Sequence, residues 1–143
     1  MLRRTVLVSF IAVGLVACSE GALEVRDAAP EADQFAQGVL RNLAHSELDL
    51  ILNTVDPVAS GQIDRQSLEA SAAQLPEDFL AQVGEYHRKI YRSNVRGSTD
   101  IHGTVSFRFT KEGAAYVATV GFARKAGTFY VNQLEVSPRG NRD

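Results

Sequence analysis

The chain of 143 residues holds one cysteine, Cys18, no tryptophan, and no methionine beyond Met1. A lone thiol closes no loop within the chain, so no internal disulfide can hold the fold. The core must come from Leu, Val, Ile, Ala, Phe and Tyr. Long apolar runs are also missing. The longest at the N-terminus, Thr5 to Ala17, has 13 residues, whereas a helix crossing the ~30 Å hydrocarbon layer needs about 20. The glycines form neither Gly-x-x-x-x-Gly-Lys nor Gly-x-Gly-x-x-Gly, which excludes the usual phosphate loops. No serine sits in a Gly-x-Ser-x-Gly elbow, and no cofactor motif is present.

What is present begins with an address. Arg3 and Arg4 precede the short apolar run, which ends in small residues just before Cys18, the layout of a secretory signal peptide. Leu15-Val16-Ala17-Cys18 resembles the lipobox of bacterial lipoproteins: a branched apolar residue, two small residues, then cysteine. The resemblance implies diacylglycerol on the Cys18 thiol, cleavage before Cys18 and acylation of the new amino group. Two chains already anchor a protein stably, and a third adds to that. Ordinary cleavage near Ala17 with release, or an uncleaved anchor, are the alternatives. Ser19 is not the aspartate that retains such lipoproteins at the inner membrane, so the resemblance implies the outer membrane, facing the periplasm.

Loss of residues 1–17 leaves 126 residues, enough for one domain. Charge divides unevenly along them. From Cys18 to Glu85 three basic residues face thirteen acidic ones, and from Tyr86 to Asp143 ten basic residues face four acidic ones. That bipolar layout argues against a nucleic-acid partner. It fits an acidic half and a basic half attracting each other within the fold, or a basic face meeting something anionic.

The spacing predicts a tether over residues 18–29, a domain over 30–137 and a polar tail over 138–143. Pro30 suits a first helical position, and Phe35, Val39, Leu40 and Leu43 then trace an amphipathic helix. Ser46 is placed to cap a second helix, which Asp56-Pro57 stops. A third runs from about Asp64 to Leu75, and Pro76-Glu77-Asp78 opens a short fourth. After Gly84 the period falls to two. Tyr86 to Val95 reads as a first, edge strand. Val105, Phe107 and Phe109 alternate with Ser106, Arg108 and Thr110, and Tyr116 to Phe122 forms a partner strand. Thr128 to Val136 returns, with a change of phase that a bulge near Asn132-Gln133 would reconcile.

Helices followed by consecutive hairpin strands give an α+β fold, helices on one face of an antiparallel sheet of about four strands. The element order, the helix-turn at Ala44-His45-Ser46 and the closing Leu134, Val136, Pro138 pattern resemble the cystatin-like, nuclear transport factor 2-like superfamily over residues 30–137. That fold hosts enzymes, ligand binders and assembly subunits alike, so it selects no activity.

Three constellations could carry function. Asp100 and His102 could make an acid–base dyad, although Gly97-Ser98-Thr99 and Gly103 place them in a loop between strands. Phe107, Phe109, Tyr116 and Phe122 could line a pocket between helices and sheet. Arg88, Lys89, Arg92, Arg96, Arg108 and Arg124, with Lys125, could form a basic patch for an anionic envelope component or an acidic protein. His45 beside Glu47 and Asp49 is half of a metal site at best, and the Pro-Cys-x-x-Cys that would complete a zinc deaminase is absent. No metal and no other cofactor is expected. The residues favour a lipid-anchored, non-catalytic binding or accessory module, ahead of a small-ligand binder and an Asp100/His102 enzyme.

Overall fold

The computed structural model describes residues 28–82, 86–92 and 100–140. The expected signal peptide, Cys18, most of the tether, Arg96 and the last three residues lie outside the described residues. Helix α1 occupies residues 28–44, so it is under way two residues before Pro30. Ala28, Ala32 and Ala36 are fully buried, and Val39, Leu40 and Leu43 continue the same face. Small side chains at a four-residue spacing let this helix lie close against its neighbours. The domain therefore already includes Ala28.

The end of α1 differs from expectation. Ser46 does not cap the next helix; it takes the left-handed conformation, with φ of 57°. Its N–H donates to the Leu43 carbonyl at 3.1 Å and that of Glu47 to Asn42 at 2.8 Å, the paired bonds that close a helix around a left-handed residue. Helix α2, Leu48–Leu52, starts behind Glu47 with no side-chain cap. A Cβ in this conformation costs about 1–2 kcal/mol, and glycine gives back roughly half of that in chain entropy. Ser46→Gly is thus expected to stabilise the protein by about 0.5 kcal/mol, read as a rise in Tm; a fall would place Ser46's hydroxyl in a role this turn does not show.

Helix α2 stops four residues before Asp56-Pro57, because the chain leaves for the sheet. Val55 forms a parallel bridge with Val131: the Val131 N–H donates to Thr54 at 2.8 Å, and the Asp56 N–H donates to Val131 at 2.8 Å. A 3-10 turn, Pro57–Ala59, follows. Helix α3, Arg65–Ala73, carries a reciprocal cap in which Asp64 accepts from the Ser67 N–H at 2.7 Å and the Ser67 hydroxyl oxygen accepts from the Asp64 N–H at 3.0 Å. Helix α4, Phe79–Gln82, ends on Gln82, whose amide accepts from the Thr110 N–H at 2.9 Å and donates to the Thr110 carbonyl at 3.1 Å. Among the described residues no helix is long and apolar enough to cross a membrane.

The strands are β1 (Tyr86–Arg92), β2 (Ile101–Lys111), β3 (Ala114–Lys125) and β4 (Thr128–Pro138), ordered in the sheet as in the chain, each antiparallel to the next. Two-residue turns join the last three, and both residues of each, Glu112-Gly113 and Ala126-Gly127, have positive φ. Such turns match the twist of the strands they connect. The bulge falls where the change of phase placed it: Gly121 pairs with Gln133 and Phe122 with Val131, leaving Asn132 as the extra residue. Gly121 makes the bulge feasible, since a Cβ there would lie 2.6 Å from both Asn132 Oδ1 and Gln133 Cβ.

Helices and sheet share one core, which makes the architecture α+β. Ile101, Val105, Phe107 and Phe109 of β2 and Ala118, Val120 and Phe122 of β3 point into it, against Leu40, Leu43, Ile51, Leu68 and Phe79. Phe79 meets Phe109 edge-on at 5.2 Å, and Phe109 stacks on Tyr116 at 5.5 Å. Phe122 lies 5.6 Å from Phe129, which stacks on Phe35 of α1 at 5.3 Å. The opposite sheet face is polar, with the Ser106 and Thr119 hydroxyls 2.9 Å apart.

Candidate functional site

The parallel bridge at Val55 delivers Asp56 to the edge of the sheet, where its carboxylate is almost fully buried. One carboxylate oxygen accepts from the Val58 N–H at 3.1 Å, capping the 3-10 turn, and the other receives the Lys125 ammonium at 3.0 Å. Lys125 ends β3. Burial pushes the Asp56 carboxyl upward. The hydrogen bond from Lys125, the Val58 N–H, and the charges of Lys125 and His102 outweigh it and hold the group below its ordinary value.

These residues form one wall of an open groove of about 420 Å³. His102 of β2 and its cross-strand partner Ala123 supply the floor. Asn132 enters from the bulge of β4, while Val58, Ala59 and Gln62 of the 3-10 turn region close the other side. Val131 faces the core, so alternation turns Asn132 to the outer face, where the bulge leaves it without a cross-strand partner. Bulges of this kind are frequent beside functional sites.

The expected constellations distribute differently. His102 and Gly103 lie inside β2, not in a loop. They pair with Tyr91 and Ile90 on one side and with Ala123 and Phe122 on the other, and that pairing overrides the local turn signal of the glycines. His102 reaches the groove beside Asp56 and Lys125, whereas Asp100 precedes the strand and is not among the groove's lining residues.

Phe107, Phe109 and Phe122 are buried and Tyr116 is half-buried, packed on one another and on Phe79 and Phe129. They fill the space between helices and sheet instead of lining an opening.

The basic residues do not share one face. Arg108 is exposed on the outer sheet face, while Arg124 turns to α1 and pairs with Glu31 at 3.7 Å. Lys125 is held by Asp56, and Lys111 donates to the Ala73 carbonyl at the end of α3. In β1, Arg88, Lys89 and Arg92 stand in register with Val105, Thr104 and Ile101. Arg124, Lys125 and Lys111 thus tie the basic sheet to the acidic helical half, as the charge division allows. The exposed pairs among them are each worth about 1 kcal/mol at most.

His45 sits in the turn after α1, and Asp49 pairs with Arg65 of α3. Among the described residues no group of three or more His, Cys, Asp or Glu side chains could hold a metal ion.

Comparison with family models, curated proteins and solved structures found no match to the chain.

Among the described residues, the groove is where buried charge, hydrogen-bonding side chains and a backbone bulge meet. With Lys125 committed to Asp56, it presents amide and imidazole groups beside the exposed Val58, an arrangement suited to holding a polar molecule. Asp56, Gln62 and Asn132 were not legible as a set, because they come from three separate stretches. The one signal for them was the change of phase at Asn132-Gln133.

Proposed function

We propose that this protein is a lipid-anchored component of the bacterial cell envelope whose α+β domain acts as a non-catalytic binding or accessory module. The observation that carries the reading is Leu15-Val16-Ala17-Cys18, placed directly after a short apolar run and using the only cysteine. With Ala28 already in the core, nine residues separate the lipid-bearing Cys18 from the packed domain, ten steps along the chain. At no more than ~3.5 Å per residue they hold it within about 35 Å of the membrane surface. The absence of aspartate at residue 19 favours the periplasmic face of the outer membrane. The helices-first order and the sheet meander support a cystatin-like, nuclear transport factor 2-like domain with four strands. A small-ligand role, the second reading, is supported by the polar groove and not by the helix–sheet interface, which aromatic rings occupy.

Cys18→Ala is expected to move the protein from the membrane fraction to the soluble fraction and to abolish incorporation of labelled palmitate. Equal solubility of the two forms would sink the lipid anchor. Crosslinking in the native membrane, followed by capture and mass spectrometry, then identifies an envelope partner that the Cys18→Ala form no longer reaches.

A further inference from the structure

The fixed charges of the groove cancel: the carboxylate of Asp56 is buried against the ammonium of Lys125. A simple anion or cation therefore meets little net field. What remains exposed to an occupant has both polarities. The amides of Asn132 and Gln62 each donate and accept, the imidazole of His102 does both when neutral, and Lys125 keeps N–H donors beyond the one given to Asp56. Beside them Val58 stands strongly exposed at the rim and supplies an apolar surface, while Ala123 is buried beneath the groove. A matching ligand is uncharged, carries closely spaced donors and acceptors, and has an apolar patch of its own. That is the chemistry of a sugar ring with adjacent hydroxyls, and about 420 Å³ is ample for one or two rings.

The construction of the site adds weight. Asn132 is the bulged residue, and Gly121 is the position whose lack of a side chain lets Asn132 lie over the sheet. A binding site is recognised by a few convergent polar groups in a concavity, held by a scaffold that orients them. Here three separate devices do so: the Val55–Val131 bridge, the Asp56–Lys125 pair and the bulge. We infer that the groove bounded by His102, Gln62, Asn132 and Lys125 is a binding site for a neutral saccharide. The inference deepens the binding role proposed above and rests on it for a saccharide-rich setting.

The test uses the full chain, isotopically labelled, in micelles of a detergent without a sugar head group. Side-chain amide and imidazole NMR signals are followed while methyl glycosides of neutral hexoses and N-acetylhexosamines, and their disaccharides, are added to millimolar concentration. Sodium acetate and inorganic phosphate serve as anion probes at matched ionic strength. The expected result is saturable movement of the Asn132, Gln62 and His102 signals with at least one neutral saccharide. Asn132→Ala and Gln62→Ala should each weaken that affinity about fivefold or more, the loss of roughly one hydrogen bond, with Tm unchanged.

Saturable shifts with acetate or phosphate alone would overturn the proposal in favour of an anion site. So would the absence of saturable shifts with every saccharide, or affinity unaltered in both variants. Because the micelle experiment does not depend on sorting, its failure leaves the Cys18 anchor standing, and failure of the anchor leaves the binding result intact.

Discussion

Phe122→Ala is expected to destabilise the protein by about 3–5 kcal/mol, the loss typical of a fully buried phenylalanine. The ring is fully buried, in the second half of β3. It touches Phe129, and Phe129 in turn stacks on Phe35 of α1, so the cavity would open beneath the contact that joins sheet and helix. Domains of this size are stable by about 5–15 kcal/mol in total, so such a loss removes a large share of the margin. Urea unfolding at pH 7 is the direct measurement: the midpoint should fall sharply with the slope unchanged. Phe35→Ala, at a partly buried ring of the same stack, should cost clearly less. A loss below about 1 kcal/mol for Phe122→Ala would contradict a packed helix–sheet interface and revive a pocket there.

The second large effect concerns Asp56 and Lys125. Removing one partner of a fully buried ion pair costs about 3–5 kcal/mol, because the other charge is left buried alone. Here the Lys125 side chain is 39% exposed and Asp56 only 6%, so water reaches one end of the pair. Lys125→Met is accordingly expected to cost about 2 kcal/mol at pH 7. Asp56→Asn keeps one acceptor oxygen, enough for the Val58 N–H but not for Lys125 as well, and should cost less because the ammonium it releases is already partly exposed and can turn to water. The double variant should recover part of the Lys125→Met loss, since it removes the stranded charge; strictly additive losses would mean the two groups do not interact.

The same pair sets an acid limb. Because the folded-state value of Asp56 lies below its ordinary value of 3.8, the folded protein binds fewer protons there than the unfolded chain. The resulting stability is fully present above that ordinary value and is lost as pH falls through the lower folded-state value. Asp56→Asn should flatten stability against pH below about 4 and leave the neutral range unchanged in slope. An unaltered acid limb would show that Asp56 titrates normally.

Local pattern carried the strands well. Val105, Phe107 and Phe109 face the core as their alternation required, both turns fall on their glycines, and the bulge sits at the break of phase between Val131 and Leu134. These features are dictated within a few residues, where side-chain period and backbone sterics decide. Expectations went astray where a distant segment decided. Asp56-Pro57 reads as a helix stop, yet Val55 leaves the helix for β4, a partner nothing nearby announces. Gly103 reads as a loop until two neighbouring strands supply its hydrogen bonds. Lys125 and Arg124 read as one surface patch, although consecutive strand residues point to opposite faces and each finds an acidic partner from the helical half. His102 was visible as a functional candidate, but its companions Asp56, Gln62 and Asn132 become neighbours only through the complete fold.

The stack of Phe35 on Phe129 also fixes an order of events. Helix α1 is among the first described elements to be synthesised, and its ring partner, its ion-pair partner Arg124 and the Val131 that receives Val55 all lie near the other end of the chain. Until β4 exists, the leading half has no completed core to collapse onto. Contacts so remote in sequence make folding slow, because a long loop must close before they contribute. If the chain is exported as proposed above, that delay is an advantage: the polypeptide stays threadable until its last strand has crossed.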